Sequence, residues 1–145
     1  MPKKILIMGL PGSGKTTLAK PFAELIGGVH INADEVRGRY DDWDFTPEGR
    51  IRQALRMRYL ADGVVMAGKI AVADFVCPTE KARAEFQPDY TVWMDTIKEG
   101  RFEDTNKMFE PLSKEEYNYH VSEWFHDTHD QLVKVVKNYM EKKNV

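Results

Sequence analysis

Apolar residues follow two rhythms along this chain: short unbroken runs, and longer stretches in which they return every three or four positions. The runs predict strands over residues 3–8, 29–31, 69–75, 89–95 and 117–121. The run at 69–75 is apolar almost throughout, as a strand covered on both faces of a parallel sheet requires. The longer repeats predict helices over residues 15–26, 47–66, 79–86 and 124–142. Gly27-Gly28 stops the first of these, and Pro21 within it is expected to kink it. Thr46-Pro47-Glu48 starts the second, with a threonine cap, a proline at the first helical position and an acid in the first turn. Ile51, Leu55 and Tyr59 form its expected inward ridge, and Phe125, Leu132, Val136 and Tyr139 that of the last helix. Residues 32–37 read as a polar turn into a short helix. Residues 38–45 read as an aperiodic loop at the active site, and 100–111 as a charged irregular stretch.

Strands alternating with helices predict an α/β fold in three layers, with right-handed crossovers and a parallel sheet of about five strands. The second strand is expected beside the first. Ligands of such sheets bind at the carboxyl ends of the strands. Asp34, Asp74 and Asp95 all fall at or near such ends, so one crevice is expected to collect them.

Between the first strand and the first helix stands Gly9-Leu10-Pro11-Gly12-Ser13-Gly14-Lys15-Thr16, which fits G-x-x-x-x-G-K-[ST] without a mismatch. A chance glycine-rich turn would lack this strand–loop–helix setting. The motif predicts a P-loop NTPase fold and a bound nucleoside triphosphate, with ATP and Mg²⁺ as the expected pair. The glycines let the backbone wrap phosphate closely, and the amides of the turn and helix N-terminus point at the anion. Lys15 is expected to reach the β- and γ-phosphates, and the Thr16 hydroxyl to ligate Mg²⁺.

The chain has 145 residues, enough for one domain with a real core, and one domain over residues 1–145 is expected. Its net charge of −2 gives no global basic field that would recommend nucleic acid, although a local basic groove remains compatible with it. Cys77 is the only cysteine, which rules out an intramolecular disulfide and argues against a thiolate zinc site. With its first strand at residue 3 and no apolar run of membrane length, a cytoplasmic protein without a membrane partner is expected. The oligomeric state is left open, a homodimer included.

Phosphoryl transfer needs a phosphate cradle, a metal, a group that takes the acceptor's proton, and cations around the moving phosphoryl. Asp34 is the candidate base or, through water, a metal ligand; the alternative is that it only caps the short helix after it. Asp74 lies near the end of an otherwise apolar strand, where a carboxylate is costly unless it meets a cation or metal, so it is read as facing the Mg²⁺ shell or the acceptor, the alternative being a surface acid at the strand end. Arg50 and Gln53 share a helix face and are candidates to hold the acceptor, while Arg52 and Arg56 read as solvated. Trp43 and Phe45 either stack on a base or belong to the core. Arg101 is a candidate charge stabiliser, or an exposed loop arginine. His120, His126 and His129 lack a further ligand at diagnostic spacing and read as surface histidines near carboxylates.

These motifs resemble the adenylylsulfate kinase family, over most of residues 3–95. Gly9 to Thr17 resembles that family's P-loop, which adds Thr17 to the nucleotide contacts. Asn32-Ala33-Asp34-Glu35-Val36-Arg37 resembles its D-G-D-N-[VI]-R segment, which puts Asp34 on the catalytic aspartate and Arg37 on an acceptor-binding arginine. Phe45-Thr46-Pro47-Glu48-Gly49-Arg50 is similar to G-F-[ST]-x-x-D-R, which implies that Phe45 stacks on the acceptor's base and Arg50 binds the acceptor. Gln53 stands in for an asparagine, and Asp74-Phe75-Val76-Cys77-Pro78 is similar to S-P-F-I-S-P, with Cys77 in place of a serine. Val92-Trp93-Met94-Asp95 is similar to its V-x-V-D strand. The D-P-K-G-L-Y lid is missing, and residues 100–106 stand there instead. Compact phage kinases of this kind phosphorylate 5-hydroxymethyluracil in DNA. The resemblance therefore implies a kinase whose acceptor is modified DNA or adenylyl sulfate, with a slight lean to DNA. On a DNA acceptor Phe45 or Trp43 would stack on an extruded base, and Arg37 and Arg50 would meet phosphates. A nucleotide-binding switch without an acceptor is the alternative from another class.

Overall fold

β1 (Lys4–Met8) is the spine of the sheet, and its alternating side chains define both halves of the core. Leu6 and Met8 pack on one side with Ala73, Phe75, Met57, Ala61 and Phe86. Ile5 and Ile7 pack on the other with Leu18, Phe22, Val72, Val92, Leu132 and Val136. This period of two, with both faces covered, is what an apolar central strand produces. The computed structural model describes residues 3–143. After β1 come α1 (Lys15–Ile26), β2 (Val29–Asn32), α2 (Ala33–Tyr40), α3 (Pro47–Met66), β3 (Ala71–Phe75), α4 (Glu80–Phe86), β4 (Tyr90–Met94), α5 (Glu103–Met108), β5 (Tyr119–Val121) and α6 (Thr128–Lys143). The five strands run in the order β2-β3-β1-β4-β5, all parallel. The cores place α1 and α6 on one face and α3 and α4 on the other, so the three-layer α/β expectation holds.

Local chemistry sets the helix boundaries. Gly27 takes a left-handed φ of 68° and closes α1. Thr46, Thr79 and Asn32 each accept a backbone N–H three residues ahead, at Gly49, Ala82 and Glu35, and so cap α3, α4 and α2. Pro21 does not interrupt α1, which runs continuously through it.

The sequence reading needs correction in several places. β2 does not lie beside β1; β3 separates them. The fully buried β3 takes the inner position, and the short β2, with Val29 exposed, takes the edge. The inward face of α3 is Arg50, Gln53, Ala54, Met57 and Ala61, with Ile51 and Leu55 half-buried and Tyr59 exposed. Ala54, Met57 and Ala61 pack into the core, while Arg50 and Gln53 in the first turns of α3 are buried where they wall the cleft. α2 runs on to Tyr40, which shortens the following loop, and the stretch read as irregular contains α5. The last helix starts at Thr128, and Phe125 is exposed. The Thr128 hydroxyl turns back on the Phe125 backbone, accepting its N–H at 2.8 Å and donating to its carbonyl at 2.9 Å.

Candidate active site

The loop between β1 and α1 supplies one wall of a cleft of about 760 Å³ at the carboxyl ends of β1, β2 and β3. Pro11, Gly12, Gly14, Lys15, Thr16 and Thr17 face this space. Gly9, Leu10 and Ser13 form the buried inner side of the loop. Gly9 has a φ of 153°, and a Cβ there would collide with the Met94 carbonyl, so the loop can sit this close to β4 only on a glycine. The Ser13 hydroxyl is buried with no hydrogen-bond partner among the described residues. Lys15 Nζ donates to the Leu10 carbonyl at 3.0 Å. Burial lowers the Lys15 pKa to about 8, while Asp74 and Asp34 pull it back up and Arg50 lowers it further.

Asp74 enters the cleft because β3 is the direct neighbour of β1, with Asp74 level with Ile7 on one side and Asn32 on the other. Thr16 Oγ1 donates to Asp74 Oδ1 at 3.2 Å. Asn32 Nδ2 donates to Thr16 Oγ1 at 3.2 Å and lies 3.3 Å from each Asp74 carboxylate oxygen. The His30 imidazole closes on Asp74 Oδ2 from β2. Thr16 and Asp74 thus pair a hydroxyl with a buried carboxylate beside the phosphate loop. Two hard oxygen donors suit Mg²⁺, which keeps several waters and needs few protein ligands.

The opposite wall is built by α2, α3 and the loop between them. Asp34 is exposed in the first turn of α2 and lines the cleft. The cap of that helix is Asn32 rather than Asp34, which leaves the Asp34 carboxylate free of the capping role. Asp34 lies within electrostatic reach of Lys15, Arg37 and Arg50, favouring the charged form of each. The Arg37 and Arg50 guanidinium carbons stand 4.4 and 4.8 Å from the centre of the Phe45 ring. Both arginines are buried, whereas Phe45 and Trp43, 6.5 Å apart, are about half exposed and line the cleft. Burial, with Arg37 alongside, lowers the Arg50 pKa to about 10, so it stays charged.

Much of this wall is locked in place. Arg37 donates to the carbonyls of Asp42 and Asp44 at 3.0 and 3.1 Å. Asp42 holds both Arg52, at 2.7 Å, and Arg56, at 2.8 Å. These two arginines were expected to be merely solvated; they clamp the loop that carries Phe45. Gln53 lines the cleft, but its amide donates to the Ala33 carbonyl and its oxygen accepts from Arg56. Arg101 is exposed at the cleft, 5.7 Å from the Phe102 ring.

Asp95 does not join the cleft. It pairs with His120 at 2.9 Å and with Lys98 at 3.6 Å, and His120 stacks on Trp93. His129 lies 3.7 Å from Asp130, and His126 is exposed. Three cleft-building residues had escaped the sequence reading: His30, the capping and bridging role of Asn32, and Thr105, which accepts from Arg50 at 2.8 Å. Only the asparagine had a local signal, as an N-cap residue before a helix.

The model of a family described as AAA domain matches residues 5–144. No curated protein sequence matches the chain. Among solved structures it is similar to an unliganded sugar kinase from Janibacter sp. HTCC2649, at 18% identity and a TM-score of 0.72, with 97% of this chain and 95% of that one covered. It is also similar to the APS kinase of Mycobacterium tuberculosis solved with AMPPNP and APS, at 15% identity and a TM-score of 0.69, covering 94% and 98%. Shikimate kinase from Acinetobacter baumannii, solved with shikimate, gives 21% identity and a TM-score of 0.64 over 99% and 95%. At these identities the likeness is one of fold.

Proposed function

The chain belongs to this AAA domain family, and on that premise we propose that it is a kinase that transfers the γ-phosphate of ATP to a hydroxyl of a nucleotide-type acceptor. The observation that carries the reading is the position of Asp34. One carboxylate lies in reach of the phosphate-side Lys15 and of the acceptor-side Arg37 and Arg50. A nucleotide switch needs no such second wall.

In this mechanism the loop amides and Lys15 bind the triphosphate. Thr16, backed by Asp74, would hold Mg²⁺, which supplies charge neutralisation at the phosphates. Asp34 would accept the acceptor's hydroxyl proton as the acceptor oxygen bonds to the γ-phosphorus and the bond to the β-phosphate oxygen breaks, releasing ADP. Arg101 would add positive charge beside the transferring group. Phe45, backed by Arg37 and Arg50, offers an acceptor base a stacking face edged with cations.

Within this class the favoured acceptor is the 5-hydroxymethyl group of 5-hydroxymethyluracil in DNA. Trp43 and Phe45 together expose two aromatic faces at the cleft, enough for an extruded base and a neighbour. Adenylyl sulfate is the second reading, supported by the fold shared with an APS kinase along nearly its whole length. The test is transfer from γ-labelled ATP with Mg²⁺ to DNA carrying 5-hydroxymethyluracil, to unmodified DNA and to adenylyl sulfate. Label on the modified DNA alone is the expected result. Label on adenylyl sulfate alone establishes the second reading. ATP binding with label on none of the three overturns the acceptor class.

A further inference from the structure

Asp74 is the most buried carboxylate in the cleft, and its two oxygens have different partners. Oδ1 accepts from Thr16 at 3.2 Å, while Oδ2 meets His30 Nε2. The Asn32 amide lies between them, 3.3 Å from each. His30 and Asn32 are two residues apart on β2, so both point to the face of the sheet that Asp74 occupies. A carboxylate can only accept, so the tautomer that suits this contact is the one with its proton on Nε2. The imidazole is itself mostly covered, with a fifth of its side chain exposed. Without that donor the carboxylate would keep only the Thr16 bond and the two 3.3 Å Asn32 contacts, a weaker hold on its rotation about the Cα–Cβ and Cβ–Cγ bonds.

We propose that His30 is a positioning residue for metal binding: it pins Asp74 Oδ2 so that Oδ1 stays turned to the Thr16 hydroxyl. This rests on the reading that Thr16 and Asp74 serve Mg²⁺. His30 touches neither nucleotide nor acceptor in this account. Its effect reaches the metal through Asp74, as outer partners of metal ligands commonly act. The edge position of β2 makes the role specific. β2 supplies no residue of the phosphate loop, yet through His30 and Asn32 it meets the carboxylate on its neighbour β3, and Asn32 also reaches the Thr16 hydroxyl.

The test compares ATP binding by calorimetry with and without Mg²⁺ in wild type, His30→Leu and His30→Gln. Leucine fills the space without a donor, and glutamine restores an N–H near the Nε2 position. His30→Leu is expected to need about tenfold more Mg²⁺ for half-maximal enhancement of ATP binding, with metal-free ATP binding unchanged and His30→Gln close to wild type. If Mg²⁺ does not alter ATP binding in the wild type, the metal reading itself fails. If the wild type responds but His30→Leu matches it, or if His30→Gln loses as much as His30→Leu, the positioning role is overturned. Loss of metal-free ATP binding in His30→Leu also overturns it, since the residue would then be supporting the fold.

Discussion

Arg50 and Thr105 are joined by a buried 2.8 Å hydrogen bond across 55 residues of sequence, tying the first turn of α3 to α5. The guanidinium so held lies against the Phe45 ring, and its Nε has no partner among the described residues. The segment after β4 is therefore part of the same cleft wall as Phe45 and Arg50.

Thr105→Val keeps the shape and removes the acceptor oxygen, leaving a buried guanidinium short of a bond. The variant is expected to lose about 1.5–3 kcal/mol of stability and to raise the acceptor KM more than the ATP KM. Thermal melts and steady-state kinetics check both halves.

Gly49 allows the loop that carries Phe45 to press on α3: a Cβ there would run into the carbonyl and carboxyl carbon of Asp44. Gly49→Ala is expected to displace the loop and cost about 1–3 kcal/mol. Acceptor binding should weaken while ATP affinity is kept, which calorimetry with each ligand separately would show.

Asp34→Asn preserves size and removes the proposed base. The expected fall in kcat is about 10²–10⁴-fold, with ATP affinity little changed and the fold intact. Single-turnover rates beside nucleotide titrations measure this; near-normal turnover would mean that another group takes the proton. Lys15→Ala should instead weaken ATP binding as well as transfer.

Acid sensitivity should concentrate in the Phe45 loop. Hydrogen bonds from Arg52 and then Arg56 hold the Asp42 carboxyl well below the usual carboxylate range. The Thr46 hydroxyl and amide, with Arg52, lower Asp44 from 3.8 to about 2. Both folded-state values lie below the unfolded ones, so these bonds stabilise the fold fully above the unfolded pKa. That contribution is lost as pH falls through about 4 towards 2. Asp42→Asn is expected to be less stable than wild type at pH 7 and to show a shallower acid limb in melts taken down to pH 2.

Local chemistry made much of the fold legible. The apolar runs, Gly27, Thr46 and Thr79 each act within a turn of chain, so strands, helix ends and the phosphate loop could be read without neighbours. Asp34 and Arg50 were legible from their place in the chain, Arg37 and the stacking role of Phe45 from the family resemblance, and all four line one cleft. Asp95 carried a similar local signal and was misread, because its partner His120 comes from β5.

By itself, then, the sequence determined the five strands and the long helices, the loop that can wrap phosphate and the candidates of the second wall, but not α5. The tertiary structure decided which edge of β1 each strand takes, and with that the company of Asp74: Thr16 from α1, Asn32 and His30 from β2. It also decided that Thr105 meets Arg50 and that the inward face of α3 mixes Arg50 and Gln53 with Ala54, Met57 and Ala61. The physical reason is range. Capping, turn geometry and periodicity are settled by residues a few positions apart. Strand order and buried polar pairing depend on which surfaces can all be covered at once, a property of the assembled sheet.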